Sequence, residues 1–202
     1  MTRVKICGVT SVADARRAVE AGADAIGLNF YPRSPRGISV DTAAAITAAL
    51  PRSVCRVGVF VDAVRADVAR IVERLALDAV QFHGDEDAEQ CRGWACKTIK
   101  AVRVRDAGSL ASAAALAVDF ILADAYVVDR PGGTGQRVPT EWLVGIPAER
   151  LILAGGLTPE NVVDAIRAVR PAMVDVASGV ERAPGIKDPE KVERFIANVR
   201  LA

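Results

Sequence analysis

Eight short apolar runs recur along the chain, and their number and spacing constrain its fold more than any other feature. They are VKICG (4–8), AIGLNF (25–30), VGVFV (57–61), AVQFHG (79–84), IKAVRV (99–104), FILADA (120–125), LILAGG (151–156) and VDVASG (174–179). Each is rich in Val and Ile and bounded by turn residues, which is how a parallel strand covered on both faces reads. Helical patterns lie between them. Val12, Ala15, Ala18 and Val19 fall on one 3.6-residue stripe, and Gly22 stands just past its end. Asp41 is predicted to cap TAAAITAAL, with Pro51 as its stop. Thr158-Pro159 and Asp188-Pro189 are predicted helix openings. Eight strand–helix repeats in 202 residues leave about 25 residues for each. The expectation is an α/β chain, one compact (β/α)8 TIM-barrel domain spanning 1–202. A doubly wound sheet rarely needs eight regular units, and no linker or low-complexity tract marks a second domain.

Two intervals are longer than the rest, after the second strand (YPRSPRGIS) and after the sixth (VVDRPGGTGQRVP). Both are βα loops, on the face where barrels place their active sites. Long polar loops cost ordering entropy, so their presence there points to function. Charge excludes other roles. With 26 basic and 25 acidic residues, the net charge of +1 offers no electrostatic footprint for nucleic acid or a membrane surface. No apolar run reaches the roughly 18 residues of a membrane span. Four scattered cysteines read as thiols of a reducing compartment. The chain opens on a strand-like run without a leader pattern, so a cytoplasmic location is expected. A monomer is the default assembly.

Polar residues collect at the strand ends: Cys7, Gln81 and His83, Asp124, Gly155 with Gly156, and Asp175 with Ser178. In a barrel these positions surround one mouth. Strand parity sends Lys5 and Cys7 to one side and Val4 and Ile6 to the other. With helices outside, the apolar pair faces them, and Lys5 and Cys7 face inward. A thiol there needs a lowered pKa to act as a base, and Lys5 or nearby helix N-termini could supply that. Asp124, after four apolar residues, must be paired, solvated at the mouth, or held protonated as an acid. Strands one and six lie three steps apart round an eight-membered ring, roughly 135°. Cys7 and Asp124 would therefore face each other across the mouth as a base–acid pair.

Glycines close strands seven and eight, in AGGL (154–157) and ASGVE (177–181). In barrels this region commonly binds phosphate through backbone N–H groups. The expected substrate is therefore a small phosphorylated molecule, and GGTG (132–135) could add further amides or a lid. Arg36, in the long second loop, could clamp a carboxylate bidentately, whereas Arg33 reads as solvated. His83 is the only histidine, and such a residue more often bonds a neighbour than acts alone. No residue cluster has metal-ligand spacing, and neither G-x-G-x-x-G nor a P-loop occurs, so chemistry without cofactor or metal is expected.

These motifs together resemble the phosphoribosylanthranilate isomerases of tryptophan biosynthesis. VKICG with T-x-x-x-D-A (10–15), GLNFYPRSPRGIS, RVGVFV, AVQFHGDE, ILADA followed by GGTG, LAGGLTPENV and VDVASGVERAPGIKD match in order over nearly the whole chain. The resemblance implies a (β/α)8 barrel and an Amadori rearrangement. Its substrate, a phosphorylated aminosugar, is N-(5′-phosphoribosyl)anthranilate, and its product is the 1-deoxyribulose 5-phosphate. It implies that Cys7 removes the proton from sugar carbon 2, that Asp124 protonates the ring oxygen, and that Arg36 holds the anthranilate carboxylate. Gln81, His83 and Asp175 match other substrate-lining positions. Gly133, Gly135, Gly155, Gly156, Ser178 and Gly179 match phosphate-binding positions.

The chain departs from the family pattern in two places. GGTG is followed by QRVPTEW where the family commonly has Phe-Asp-Trp after a short spacer, and Ala177 stands where a serine is frequent. Two other readings are weighed. The related aminoaldose isomerase of histidine biosynthesis, or a dual-substrate enzyme, typically uses an aspartate where Cys7 stands. A barrel that only binds a ligand would have lost the acid or the base, and both are present.

Overall fold

The computed structural model describes residues 1–104, 106, 108–110, 115–125, 140–143 and 145–202. Eight parallel strands close into a barrel in chain order: β1 (Arg3–Cys7), β2 (Ala25–Asn29), β3 (Cys55–Phe60), β4 (Ala79–Phe82), β5 (Lys97–Val104), β6 (Phe120–Ala125), β7 (Leu151–Ala154) and β8 (Met173–Val176). Each predicted run contributes one of them. A two-stranded antiparallel ribbon follows β8, with β9 (Glu181–Ala183) paired to β10 (Ile186–Lys187).

The helices described are α1 (Val12–Glu20), α2 (Val40–Ala48), α3 (Arg65–Leu75), α4 (Ala88–Cys91), α5 (Val162–Val169) and α6 (Pro189–Leu201). Ser11 caps α1 by accepting from the Asp14 N–H at 3.1 Å, a contact worth about 1 kcal/mol. Gly22 follows with a left-handed φ of 101°. Asp188 caps α6 as predicted, accepting from the Glu190 and Lys191 N–H groups, with Pro189 in the first turn. Two predicted caps are corrected. Ser39, not Asp41, caps α2, because its hydroxyl reaches the Thr42 N–H. Thr158 closes a turn through Glu160, and α5 begins only at Val162.

The strand period of two divides the apolar residues into two cores. Val4, Ile6, Ile26, Leu28, Val80, Ile121 and Val174 point outward against the helices. Ala25, Val57, Ala79, Ile99, Leu122, Ile152 and Met173 fill the barrel's interior. The inward register continues upward into the polar residues of the mouth, so the rule that packs the core also aims the site.

Candidate active site

Val4 and Ile6 join the outer core, which turns Lys5 and Cys7 inward as their parity predicts. The parallel register places Lys5 directly beside Asp175 of β8, and Lys5 Nζ donates to Asp175 Oδ1 at 2.9 Å. The Lys5 side chain is 0% exposed. Taking both charges out of water costs several kcal/mol each, which a short hydrogen-bonded pair offsets. Burial alone would pull the lysine down, but the Asp175 charge overrides it and holds Lys5 above its ordinary value.

Cys7 lies one step above, also buried. Here the structure corrects the expectation of a lowered pKa. Burial pushes the thiol up, the Asp175 charge adds to that, and Lys5 only partly opposes them. The lysine's field is largely spent on its own partner. Gly27 of β2, opposite Cys7 in the register, leaves room for this pair. A Cβ there would stand 2.8 Å from Cys7 Sγ and 3.1 Å from Lys5 Nζ.

Across the mouth, Asp124 ends β6 with a half-buried side chain, 32% exposed. His83 Nε2 lies 3.5 Å from Asp124 Oδ2, and its Nδ1 lies 3.0 Å from Gln81 Nε2. If that amide donates to Nδ1, the ring proton is on Nε2, toward the carboxylate. Gln81 is buried, bonded to the histidine, and is not among the residues that line the cavity. Among the described residues, Gln81 Oε1 finds no hydrogen-bond partner.

Arg36 reaches the mouth because the second loop is folded upon itself. Asn29 Oδ1 accepts from the Tyr31 N–H, Asn29 Nδ2 donates to Ser34 Oγ, and Ser34 Oγ accepts from the Arg36 N–H. The arginine's stem lies over Gly8, where a Cβ would come within 2.5 Å of Arg36 Cδ. Arg33 is exposed and outside the cavity, as its solvated reading expected.

On the β7–β8 side the backbone itself forms the wall. Gly155 and Gly156 take left-handed φ values of 82° and 64°, which β-carbon-bearing residues adopt at a cost. Gly179 packs its Cα against the preceding loop so closely that a Cβ would lie 1.8 Å from the Leu157 carbonyl oxygen. The lining thus brings together Cys7, Arg36, His83, Asp124, Asp175, Gly155, Gly156, Ser178 and Gly179 around one cavity of about 450 Å³, within the range of small-ligand sites. Gly133 and Gly135 lie outside the described residues. Sequence reasoning did not single out Asn29, Tyr31, Ser34 and Arg103, which also line it. Inward parity at the ends of β2 and β5 carried the signal for Asn29 and Arg103.

The family model of N-(5′-phosphoribosyl)anthranilate (PRA) isomerase matches residues 4–198. The chain belongs to the PRA isomerase family. It is 50% identical over 200 residues to the N-(5′-phosphoribosyl)anthranilate isomerase of Pseudomonas fluorescens (strain Pf0-1), covering 98% of each chain. The Thiobacillus denitrificans isomerase is 48% identical over 202 residues, covering 99% of this chain and 98% of its own. Among solved structures, the phosphoribosyl anthranilate isomerase of Thermotoga maritima superposes with a TM-score of 0.93 at 41% identity, over the whole of both chains. Another structure of a PRA isomerase, in complex with reduced 1-(o-carboxyphenylamino)-1-deoxyribulose 5-phosphate, superposes at 0.88 with 40% identity over both full lengths. Within this family's barrel, the chain's own cavity holds its thiol and its mouth carboxylate on separate walls. Among the described residues no His, Cys, Asp or Glu cluster could hold a metal ion, and no helix is long and apolar enough to cross a membrane.

Proposed function

We propose that this chain carries out its family's isomerisation of N-(5′-phosphoribosyl)anthranilate with Cys7 as general base and Asp124 as general acid. The observation that carries the reading is their placement: an inward thiol on β1 and a carboxyl about one-third exposed on β6, lining one cavity beside a glycine-rich wall. A proton from Asp124 to the sugar ring oxygen breaks the bond from carbon 1 to that oxygen and leaves an iminium at carbon 1. Cys7, once ionised, then takes the carbon 2 proton. The resulting enolamine gains a proton at carbon 1 and loses one from the carbon 2 hydroxyl, giving the ketone. Each positioned proton transfer contributes on the order of 10²–10⁴-fold.

The remaining residues orient the substrate. Backbone N–H groups around Gly155, Gly156, Ser178 and Gly179 offer the phosphate a close approach. Asp175 keeps one carboxylate oxygen on Lys5 and can offer the other to a sugar hydroxyl. Arg36 offers its remaining N–H groups to the anthranilate carboxylate. His83, held by Gln81, serves the acid. Turning the Gln81 amide by half a rotation would let Oε1 accept from Nδ1–H, which leaves Nε2 free to accept from a protonated Asp124. The two amide orientations thus suit the two protonation states of the acid. A monomer acting in the cytoplasm completes the reading.

The test is loss of substrate fluorescence when pure protein meets freshly prepared phosphoribosylanthranilate. Catalytic turnover is expected, and no turnover by folded protein would sink the proposal.

A further inference from the structure

Behind Arg36 lies a buried charge cluster that the reaction does not itself use. Glu181, at the start of β9, accepts from Arg36 Nε at 2.8 Å through Oε1 and from Arg36 Nη2 at 2.6 Å through Oε2. Lys187, across the ribbon on β10, donates to the same Oε1 at 2.8 Å and to the Ala177 carbonyl oxygen at 3.2 Å. Both Glu181 and Lys187 are buried. Burial alone would raise the carboxyl's pKa, but the hydrogen bonds from Arg36 and Lys187 outweigh it and hold Glu181 ionised.

The ribbon carrying this carboxylate is itself fixed from several sides. Lys191 Nζ donates to the Glu181 carbonyl oxygen at 3.0 Å. Thr10 Oγ1 donates to the Gly185 carbonyl oxygen, and Gly185 turns with a φ of 80°. A Cβ at Gly185 would meet the Pro35 carbonyl oxygen, next to Arg36, at 3.0 Å.

Two consequences follow from the geometry. A guanidinium has five N–H donors in a rigid plane, and Glu181 takes two of them along one edge. The edge left over, Nη1 with the second hydrogen of Nη2, matches a planar carboxylate arriving end-on. The cluster also contains two cations and one carboxylate. Two cations thus share one carboxylate, and Arg36, its side chain 22% exposed, lines the cavity where an incoming anion can meet it.

We propose that Glu181 is a specificity-determining positioning residue, locking the Arg36 guanidinium so that the enzyme favours an aryl amine bearing an ortho carboxylate over one without it. This rests on the reading of Arg36 as the carboxylate clamp. A long arginine side chain without its partner would sample many rotamers, and fixing it beforehand removes that ordering cost from binding.

The experiment compares kcat/KM for phosphoribosylanthranilate and for the carboxylate-free phosphoribosylaniline, in the natural protein and in Glu181→Gln, Glu181→Asp and Arg36→Met. The natural protein is expected to prefer the carboxylated substrate. Glu181→Gln is expected to lower that preference by about tenfold or more, chiefly through KM, with less than a threefold change on the aniline substrate. Glu181→Asp keeps the charge and is expected to fall between the two, and it provides the readout if the glutamine variant does not fold. Equal losses on both substrates would mean a merely structural Glu181 and would overturn the proposal, as would an unchanged preference. If Arg36→Met also leaves the preference unchanged, the clamp reading itself fails. If Arg36→Met abolishes the preference while both Glu181 variants keep it, only the role of Glu181 fails.

Discussion

The base and the acid sit in opposite kinds of surroundings. Cys7 stands on the barrel's floor, close against Gly27 and beside an ion pair whose lysine is fully buried. Asp124 stands at the open rim, about one-third exposed, with one histidine at 3.5 Å. Burial governs the first and solvent the second. A buried thiol keeps its proton until local charge releases it, and burial and Asp175 both work against that release. The rim carboxyl is partly open to solvent and stands beside His83, so its task depends on positioning. The floor is therefore where small changes in charge should be costly, and the rim is where geometry should matter.

The largest effects are expected at the two reacting groups. Asp124→Asn keeps the shape of the side chain and removes the proton donor; kcat should fall by about 10²–10⁴ with KM changed only a few-fold. Steady-state kinetics would check this, and a loss confined to KM would reassign Asp124 to binding.

The buried pair comes next. Lys5→Met leaves Asp175 charged and alone in the barrel, which should cost about 3–5 kcal/mol in denaturant unfolding. The double variant Lys5→Met/Asp175→Asn should recover part of that. If the single and double variants are equally unstable, the pair is not what holds the floor.

A smaller change sharpens the same contrast. Gly27→Ala places a methyl against Cys7 Sγ without touching the rim. It should reduce kcat by about tenfold to a hundredfold through displacement of the thiol, while the protein still unfolds cooperatively. Natural kcat in this variant would show that the floor has slack.

The smallest effect is a pH dependence. Cys55, at the start of β3, has its thiol pushed up to about 11, chiefly by burial. A group whose folded pKa lies above its unfolded value supports folding fully below the unfolded value, and that support disappears as pH rises through the folded one. Stability should therefore decline between pH of about 9 and 11, by at most about 2.7 kcal/mol for this group. Cys55→Ala should flatten that decline in a chemical-denaturation series, and an undiminished slope would place its origin elsewhere.

The barrel was legible because strand periodicity is local. Alternation within VKICG alone separates the residues facing the helices from Lys5 and Cys7, and the same parity brings Gln81, His83, Asp124 and Asp175 inward. What lay beyond reach depends on contacts between distant segments. Nothing in VKICG reveals that β8 sets Asp175 opposite Lys5, so the thiol was expected to be activated by a lysine whose charge is already matched. Glu181 was likewise hidden: it sits past the last barrel strand, and only the turn of the ribbon brings it 145 positions back to Arg36. Gly27 gave no signal of its own, since the glycine matters only through a thiol on another strand. The Asp41 cap failed for a local reason, because Ser39 two residues earlier competes for the same helix start.

The central claim is that one thiol on the barrel floor removes the sugar proton. Turnover of phosphoribosylanthranilate by Cys7→Ser tests it most directly, because oxygen replaces sulfur with little change in shape but is a far harder group to ionise. The prediction is a fall in kcat of about a hundredfold or more, with KM within a few-fold and an unfolding midpoint close to that of the natural protein. A kcat within threefold of natural would contradict it and move the base to another residue of the cavity.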